Sequence, residues 1–323
     1  MKGFIVREFG GLENMLFEDM PIPTPASGQV LVRVFASGIN FAETRMRAGD
    51  YSGQPLPFVV GMEGAGVIES LGEGVSGFAV GQRVFGRARG SHAEYVLFDV
   101  EHLMPLPDKL SFVEGAAVPV GWLTAWHALH TVANLQHGNR VLVEAVAGSV
   151  GSAAVQIAKQ HKCWVAGTAS MDKKLKQAEQ YGADLLLNYT NTSISEAITE
   201  KTDGQGVDVS LMTIGEATAT ELLDSMGMDG KVVMFGSTGG RDITFGLHIG
   251  VLNLQLLSMS ISSSPLFVPE TMKSFREIAL PLFASGEFQA VVDTVLPLEQ
   301  VARAHQMIGE REHFGKVILE LPQ

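Results

Sequence analysis

Residues 140–159, RVLVEAVAGSVGSAAVQIAK, constrain the fold more than any other part of the chain. An unbroken apolar run passes through a turn of small residues into apolar side chains at helical spacing. The segment therefore reads as strand, tight turn and helix. The rhythm then repeats. CWVAGTAS reads as a strand, DKKLKQAEQYG as a helix closed by Gly182, ADLLLNY as a strand and SISEAITEKT as a helix. GVDVSLMT, GKVVMFGS and LQLLSMSIS are further strands. Apolar strands alternating with helices imply an α/β fold with a parallel sheet covered on both faces.

The rest of the chain has a different texture. Its 323 residues are enough for two domains. In the first 100 residues, GQVLVRVFASGIN (28–40), GAGVIESLGEGVSGFAVGQRVFG (64–86) and HAEYVLFDVEHLMPLP (92–107) read as short strands joined by tight turns. Residues 111–130 have helical apolar spacing around Pro119 and Gly121. The end, PETMKSFREIALPLFASGEF, LEQVARAHQMI and GKVILELP, reads as helix, helix and strand.

Gly148 and Gly151 follow a strand and open a helix, the context a dinucleotide-binding turn requires. Ala145 leads the run A-x-x-G-x-x-G where that fingerprint opens on glycine. Gly148 lets the backbone approach a pyrophosphate, and Gly151 lets the helix pack on the strand. The free N–H groups and positive dipole end of the helix then hold the phosphates. The competing reading is tight packing with no ligand. The next strand ends Ala166-Gly167-Thr168-Ala169-Ser170, with no carboxylate at its tip to hold a ribose 2′-OH. Ser170 and the lysines after it, Lys173 and Lys174, suit a 2′-phosphate, so NADPH is favoured. Lys176 reads as solvated, and Asp172, the nearest acid, keeps NAD open.

Charge and cysteine count narrow the partners. The net charge of −12 disfavours nucleic acid, whose binding is largely phosphate neutralisation by Lys and Arg. Cys163 is the single cysteine, which excludes an intrachain disulfide and any zinc site built from several thiolates, and fits a cytoplasmic setting. MKGFIVREFGGLENM lacks the apolar core of a signal peptide. Asn253, Gln255 and five serines interrupt the longest apolar segment, 248–268, so no membrane insertion is expected.

The order of a glycine-rich β region, A-x-x-G-x-x-G and a short closing segment resembles the medium-chain dehydrogenase/reductase superfamily. The likeness runs from GGLENMLFED through GINFAETRMRAGDY, GMEGAGVIESLGEGVSGFAVGQRV and NYTN to GKVILELP. Within the superfamily the chain is similar to the zinc-independent quinone oxidoreductases, including the ζ-crystallin and vesicle amine transport protein branches. The resemblance implies a GroES-like catalytic domain over 1–119 and 268–323, and a Rossmann domain inserted over 120–267. It also implies a homodimer or homotetramer paired through the last strand of the sheet, near 256–262.

Zinc-dependent relatives carry an early Cys ligand and a G-H-E motif. This chain has GINFAET at the first place and Gly61-Met62-Glu63 at the second, so no metal is expected. His127/His130 and His161/Cys163 read as surface or packing residues. Gly309 and Gly315-Lys316 resemble a phosphate loop only loosely, because no Ser or Thr follows the lysine.

Without a metal, an acceptor oxygen must be polarised by hydrogen bonds as hydride arrives, and a proton must then follow. By resemblance, Asn40 and Tyr51 line the cleft by the nicotinamide. Asn40 would bond the cofactor ribose or the acceptor, and Tyr51 would donate to the acceptor oxygen. Thr124 and Ser262 match positions near the nicotinamide, and Ser149 and Val150 match backbone donors to the diphosphate. Ser170, Lys174 and Tyr189 match the adenosine phosphate pocket. Phe235, Gly236 and Ser237 match a strand end bordering the cofactor. Arg45 departs from the tyrosine of several relatives and reads as solvent-facing. Gly53-Gln54-Pro55 suggests a loop over the cleft.

The resulting expectation is an NADPH-dependent oxidoreductase acting on a quinone or similar conjugated carbonyl. Two alternatives stand beside it. One is a 2-alkenal, enone or enoyl-thioester reductase. The other is an NADPH-binding protein without turnover, structural or RNA-binding.

Overall fold

The computed structural model describes residues 1–51, 54–240 and 242–322. The chain divides into two compact units, Met1–Gly121 with Met272–Gln323, and Trp122–Thr271.

The second unit is built on six parallel strands. In spatial order they are Leu185–Asn188, Trp164–Ala169, Arg140–Val143, Val207–Met212, Met226–Met234 and Gln255–Ser258. Numbered along the chain, the order is 3-2-1-4-5-6, the doubly wound Rossmann topology. The strands lack alternation because both faces are covered: Val141, Leu142, Val143, Val165, Ala166, Leu211, Val232 and Val233 are all buried. The helix Ser149–Gln160 packs Ala153, Ala154, Ile157 and Ala158 inward. Since every strand runs the same way, all their carboxyl ends lie along one edge. The last strand is shorter than its apolar run suggests and ends at Ser258, leaving Ser262 in a turn beyond it.

The first unit holds a seven-stranded sheet. Val292–Pro297, Lys316–Glu320, Gln29–Gly38, Glu63–Leu71, Arg83–Arg87 and Leu103–Pro105 follow one another across it, and Tyr95–Asp99 also pairs with Gln29–Gly38. The strand Lys316–Glu320 runs antiparallel to Ala36–Gly38, so the C-terminal segment completes a sheet begun near the N-terminus. A second sheet joins Met15–Asp19, Lys2–Val6 and Phe58–Val59. The β-rich reading of this region leaves out the helix Phe41–Ala48. Its only buried side chain is Glu43, so it lacks the apolar stripe by which surface helices are read.

Candidate active site

The turn after Arg140–Val143 sits where the strand order reverses, between the first and fourth strands, the place where open α/β sheets take ligands. Its two glycines do different work. A Cβ on Gly148 would touch only the Ala145 carbonyl oxygen, at 3.3 Å, so its outer face is an open cradle. A Cβ on Gly151 would lie 2.7 Å from Val146 Cα, so this glycine lets the helix press onto the turn. Ala145 takes a left-handed φ of +50°, in the region glycine usually serves. Ser149 and Val150 are the first residues of the helix, where N–H groups have no intrahelical acceptor. This cradle fits the diphosphate of a dinucleotide.

A residue that the sequence reading missed holds this turn in place. Glu144, buried at the strand end, accepts from Thr213 N and Ile214 N, each at 2.8 Å, and from the Thr218 hydroxyl. Burial pushes its carboxyl up, and the three donors pull it back. The bonds tie the tip of the first strand to the tip of the fourth.

The sequence-predicted cofactor residues mostly gather on the same edge. Ser170 follows Trp164–Ala169, and Lys174 lies in the first turns of the helix Asp172–Ala178. Tyr189 follows Leu185–Asn188, its ring half-buried against the core around Leu187. Phe235, Gly236 and Ser237 follow Met226–Met234, and Phe235 N bonds Met212 O at 3.2 Å. Asp172 is already engaged, its Oδ1 accepting from Asn188 Nδ2 at 2.7 Å. Thr124 stands apart, buried in the helix Pro119–Trp126, and Ser262 occupies the turn past the last strand. His127 is buried against Thr271, and His130 stacks on Trp126, so both are packing residues.

Asn40 and Tyr51 belong to the other unit, Asn40 buried and Tyr51 on its surface. Tyr51 is 51% exposed. Arg45 pairs with Asp50 at 3.2 Å and faces solvent. Of the suggested loop, Gly53 lies outside the described residues.

Asn40 is buried in a polar network. Its Nδ2 donates to Glu43 Oε1 at 3.0 Å and to Glu63 Oε1 at 2.8 Å, and its Oδ1 accepts from Lys316 Nζ at 2.8 Å. Lys316 Nζ also pairs with Glu63 Oε1 at 2.7 Å, and Glu63 Oε2 accepts from Val120 N at 2.6 Å. Both N–H groups of Asn40 are therefore used. One lone pair on Oδ1 remains, which suits a hydroxyl donor such as a ribose and not a developing oxyanion.

Glu43 also meets His92, with Oε2 3.1 Å from Nε2. Burial works to raise the Glu43 carboxyl, but His92, His305 and the Asn40 bond hold it below the usual carboxylate range. Glu43 lines a cavity of about 330 Å³ together with Met46, Phe58, Val60, Met62 and Arg89. Sequence reading passed over Glu43, Glu63, His92, His305 and Lys316.

Residues 26–108 match the alcohol dehydrogenase GroES-like domain, and residues 149–295 match the zinc-binding dehydrogenase family. The quinone oxidoreductase of Rattus norvegicus is 34% identical over 330 residues, covering 99% of this chain and 98% of that protein. The chain belongs to the quinone oxidoreductase branch of the medium-chain dehydrogenase/reductase superfamily. The solved structure of Escherichia coli quinone oxidoreductase complexed with NADPH superposes with a TM-score of 0.89 at 28% identity, covering 99% of this chain and all of that one. The CurK enoyl reductase structure superposes with a TM-score of 0.89 at 26% identity, covering 99% of each chain. This quinone oxidoreductase relative is thus an oxidoreductase in fold and in full-length sequence. Asn40 is bonded to the Lys316 ammonium group, and Met62 lines the cavity beside Glu43.

Proposed function

We propose that this protein transfers hydride from NADPH to a quinone or similar conjugated carbonyl, without a catalytic zinc. The observation that carries the reading is the open Gly148 cradle at the switch point, with Ser170 and no carboxylate at the tip of the next strand. NADPH, when bound, supplies the hydride. Gly148 and the N–H groups of Ser149 and Val150 hold the diphosphate. Ser170, Lys174 and Tyr189 surround the 2′-phosphate, and Asp172 does not compete because Asn188 engages it. Phe235, Gly236, Ser237, Thr124 and Ser262 border the nicotinamide half. Asn40 accepts from a ribose hydroxyl. The exposed phenol of Tyr51 donates to the acceptor oxygen as charge develops on it, and a solvent proton restores the phenol. The sum is quinone plus NADPH plus a proton giving hydroquinone plus NADP⁺.

The likeness to an enoyl reductase favours a second reading, hydride delivery to the β-carbon of an enone or enoyl thioester. Product analysis separates the two. A benzoquinone, a naphthoquinone, an alkenal and an enoyl thioester are each incubated with NADPH and enzyme, and the products identified by mass. Hydroquinones as the fast products support the quinone reading. Saturated products at the higher rate would move the substrate class. NADPH binding with no product would favour a binding protein. In the same assay, Tyr51→Phe should lower turnover by about tenfold or more, a loss in the range of one acid–base group. Unchanged turnover would remove Tyr51 from the chemistry.

The protein acts in this reading as a cytoplasmic homodimer or homotetramer. The edge strand Gln255–Ser258 and the exposed Leu247 and Val251 beside it give a second copy an apolar surface and unpaired backbone. Among the described residues no helix is long and apolar enough to cross a membrane.

A further inference from the structure

The strongest unassigned chemistry lies in the polar cluster beneath the 330 Å³ cavity. Glu43, His92 and His305 are 2%, 0% and 2% exposed, and one ligand atom from each lies within 4.8 Å of the other two. They come from three distant segments: the helix Phe41–Ala48, the loop before Tyr95–Asp99, and the helix Val301–Glu310.

Two details point to a ligand. The first is His305. Neither of its ring nitrogens has a hydrogen-bond partner among the described residues, although the side chain is buried. A buried imidazole without partners is costly unless something further binds it. The second is the orientation of His92. Ser37 Oγ lies 2.8 Å from the Glu63 carbonyl oxygen, 2.9 Å from Ser91 Oγ and 2.9 Å from His92 Nδ1, which holds the imidazole from its far side. His92 Nε2 faces Glu43 Oε2 at 3.1 Å. A metal-binding histidine is oriented in this way, its second nitrogen fixed by a neighbour.

We propose that Glu43, His92 and His305 form a binding site for a first-row divalent cation of the Zn²⁺ or Co²⁺ type. The donors are two imidazole nitrogens and one carboxylate oxygen, a set such ions accept. Zinc bonds of about 2.0–2.2 Å place tetrahedral ligand atoms roughly 3.3–3.6 Å apart. The Glu43–His92 pair, at 3.1 Å, is already near that spacing, and all three ligand atoms lie within 4.8 Å of one another. Glu43 also lines the cavity, which gives the ion its way in. Burial, against the pull of Glu43 and with help from His92 and Arg47, holds the His305 imidazole down to about 4. Arg47, one turn on from Glu43, is also the positive charge the ion must tolerate. The cluster adjoins Asn40, which donates to Glu43 Oε1 at 3.0 Å, but the ion takes no part in the hydride chemistry proposed above. A bound ion would staple the N-terminal helix to the C-terminal one.

The test uses the full chain, stripped with chelator and desalted. Zn²⁺ is titrated by calorimetry in two buffers of different ionisation enthalpy, and Co²⁺ by its visible spectrum. One equivalent bound is expected. Glu43→Gln and His305→Gln should each weaken binding by at least about tenfold, as metal-site substitutions do. His161→Gln, outside the cluster, should bind as the parent does. Because a buried variant can misfold, the parent protein labelled with ¹⁵N-histidine gives a second readout. Zn²⁺ should shift the ring nitrogens of two histidines together. No bound equivalent, binding unchanged in both cluster variants, or a shift confined to other histidines would overturn the proposal.

Discussion

Single residues divide the glycine turn into a ligand-facing half and a packing half. Gly148→Ala adds a methyl group to the open cradle, touching protein only at the Ala145 carbonyl. Its thermal stability should match the parent, while the Kd for NADPH rises about tenfold or more, a loss of roughly 1.4 kcal/mol. Gly151→Ala has the opposite signature. Its Cβ would press on Val146 Cα, so overpacking should destabilise the protein by about 1–3 kcal/mol in denaturant unfolding. Equal losses of affinity in the two variants would contradict this division. Cofactor choice is likewise set by one side chain. Ser170→Asp places a carboxylate at the strand tip where a ribose 2′-OH would be read. The ratio of kcat/KM for NADPH over NADH should fall by at least about tenfold, since the new charge repels a 2′-phosphate. These residues were legible because a nucleotide turn is contiguous in sequence. Glu43, His92 and His305 were not, because only the fold gathers them.

At the scale of elements, buried polar residues pin the ends of strands and helices. The strand Lys316–Glu320 places a fully buried ammonium against Glu63 and Asn40, joining C-terminal to N-terminal chain. Lys316→Met should destabilise the protein by about 3–5 kcal/mol, because it leaves the Glu63 carboxylate buried and without its countercharge. Adding Glu63→Gln should recover part of that loss, and an additive double variant would show the two do not act as a pair. Sequence reading took Gly315-Lys316 only as a failed phosphate loop. Nothing local marks a strand lysine as buried, since its partners lie more than 250 residues away. The Rossmann strands were legible for the converse reason. Both their faces are covered, so each strand is a continuous apolar run bounded by turns. The helix Phe41–Ala48 was missed because the side chain it turns inward is a carboxylate.

Across the whole molecule, the two units carry different kinds of information. The unit Trp122–Thr271 shows its ligand class through backbone geometry: an open turn, parallel strand ends on one edge, and no acid at the second tip. The other unit shows chemistry through buried side chains, and its network leaves Asn40 able to accept and not to donate. The most direct test is the initial rate of reduced-nicotinamide oxidation, followed by its ultraviolet absorbance, with a naphthoquinone as acceptor and NADPH or NADH as donor. Quinone-dependent oxidation, with NADPH preferred by at least about tenfold in kcat/KM, is the predicted result. NADPH that binds but is not oxidised, or a clear preference for NADH, would contradict it.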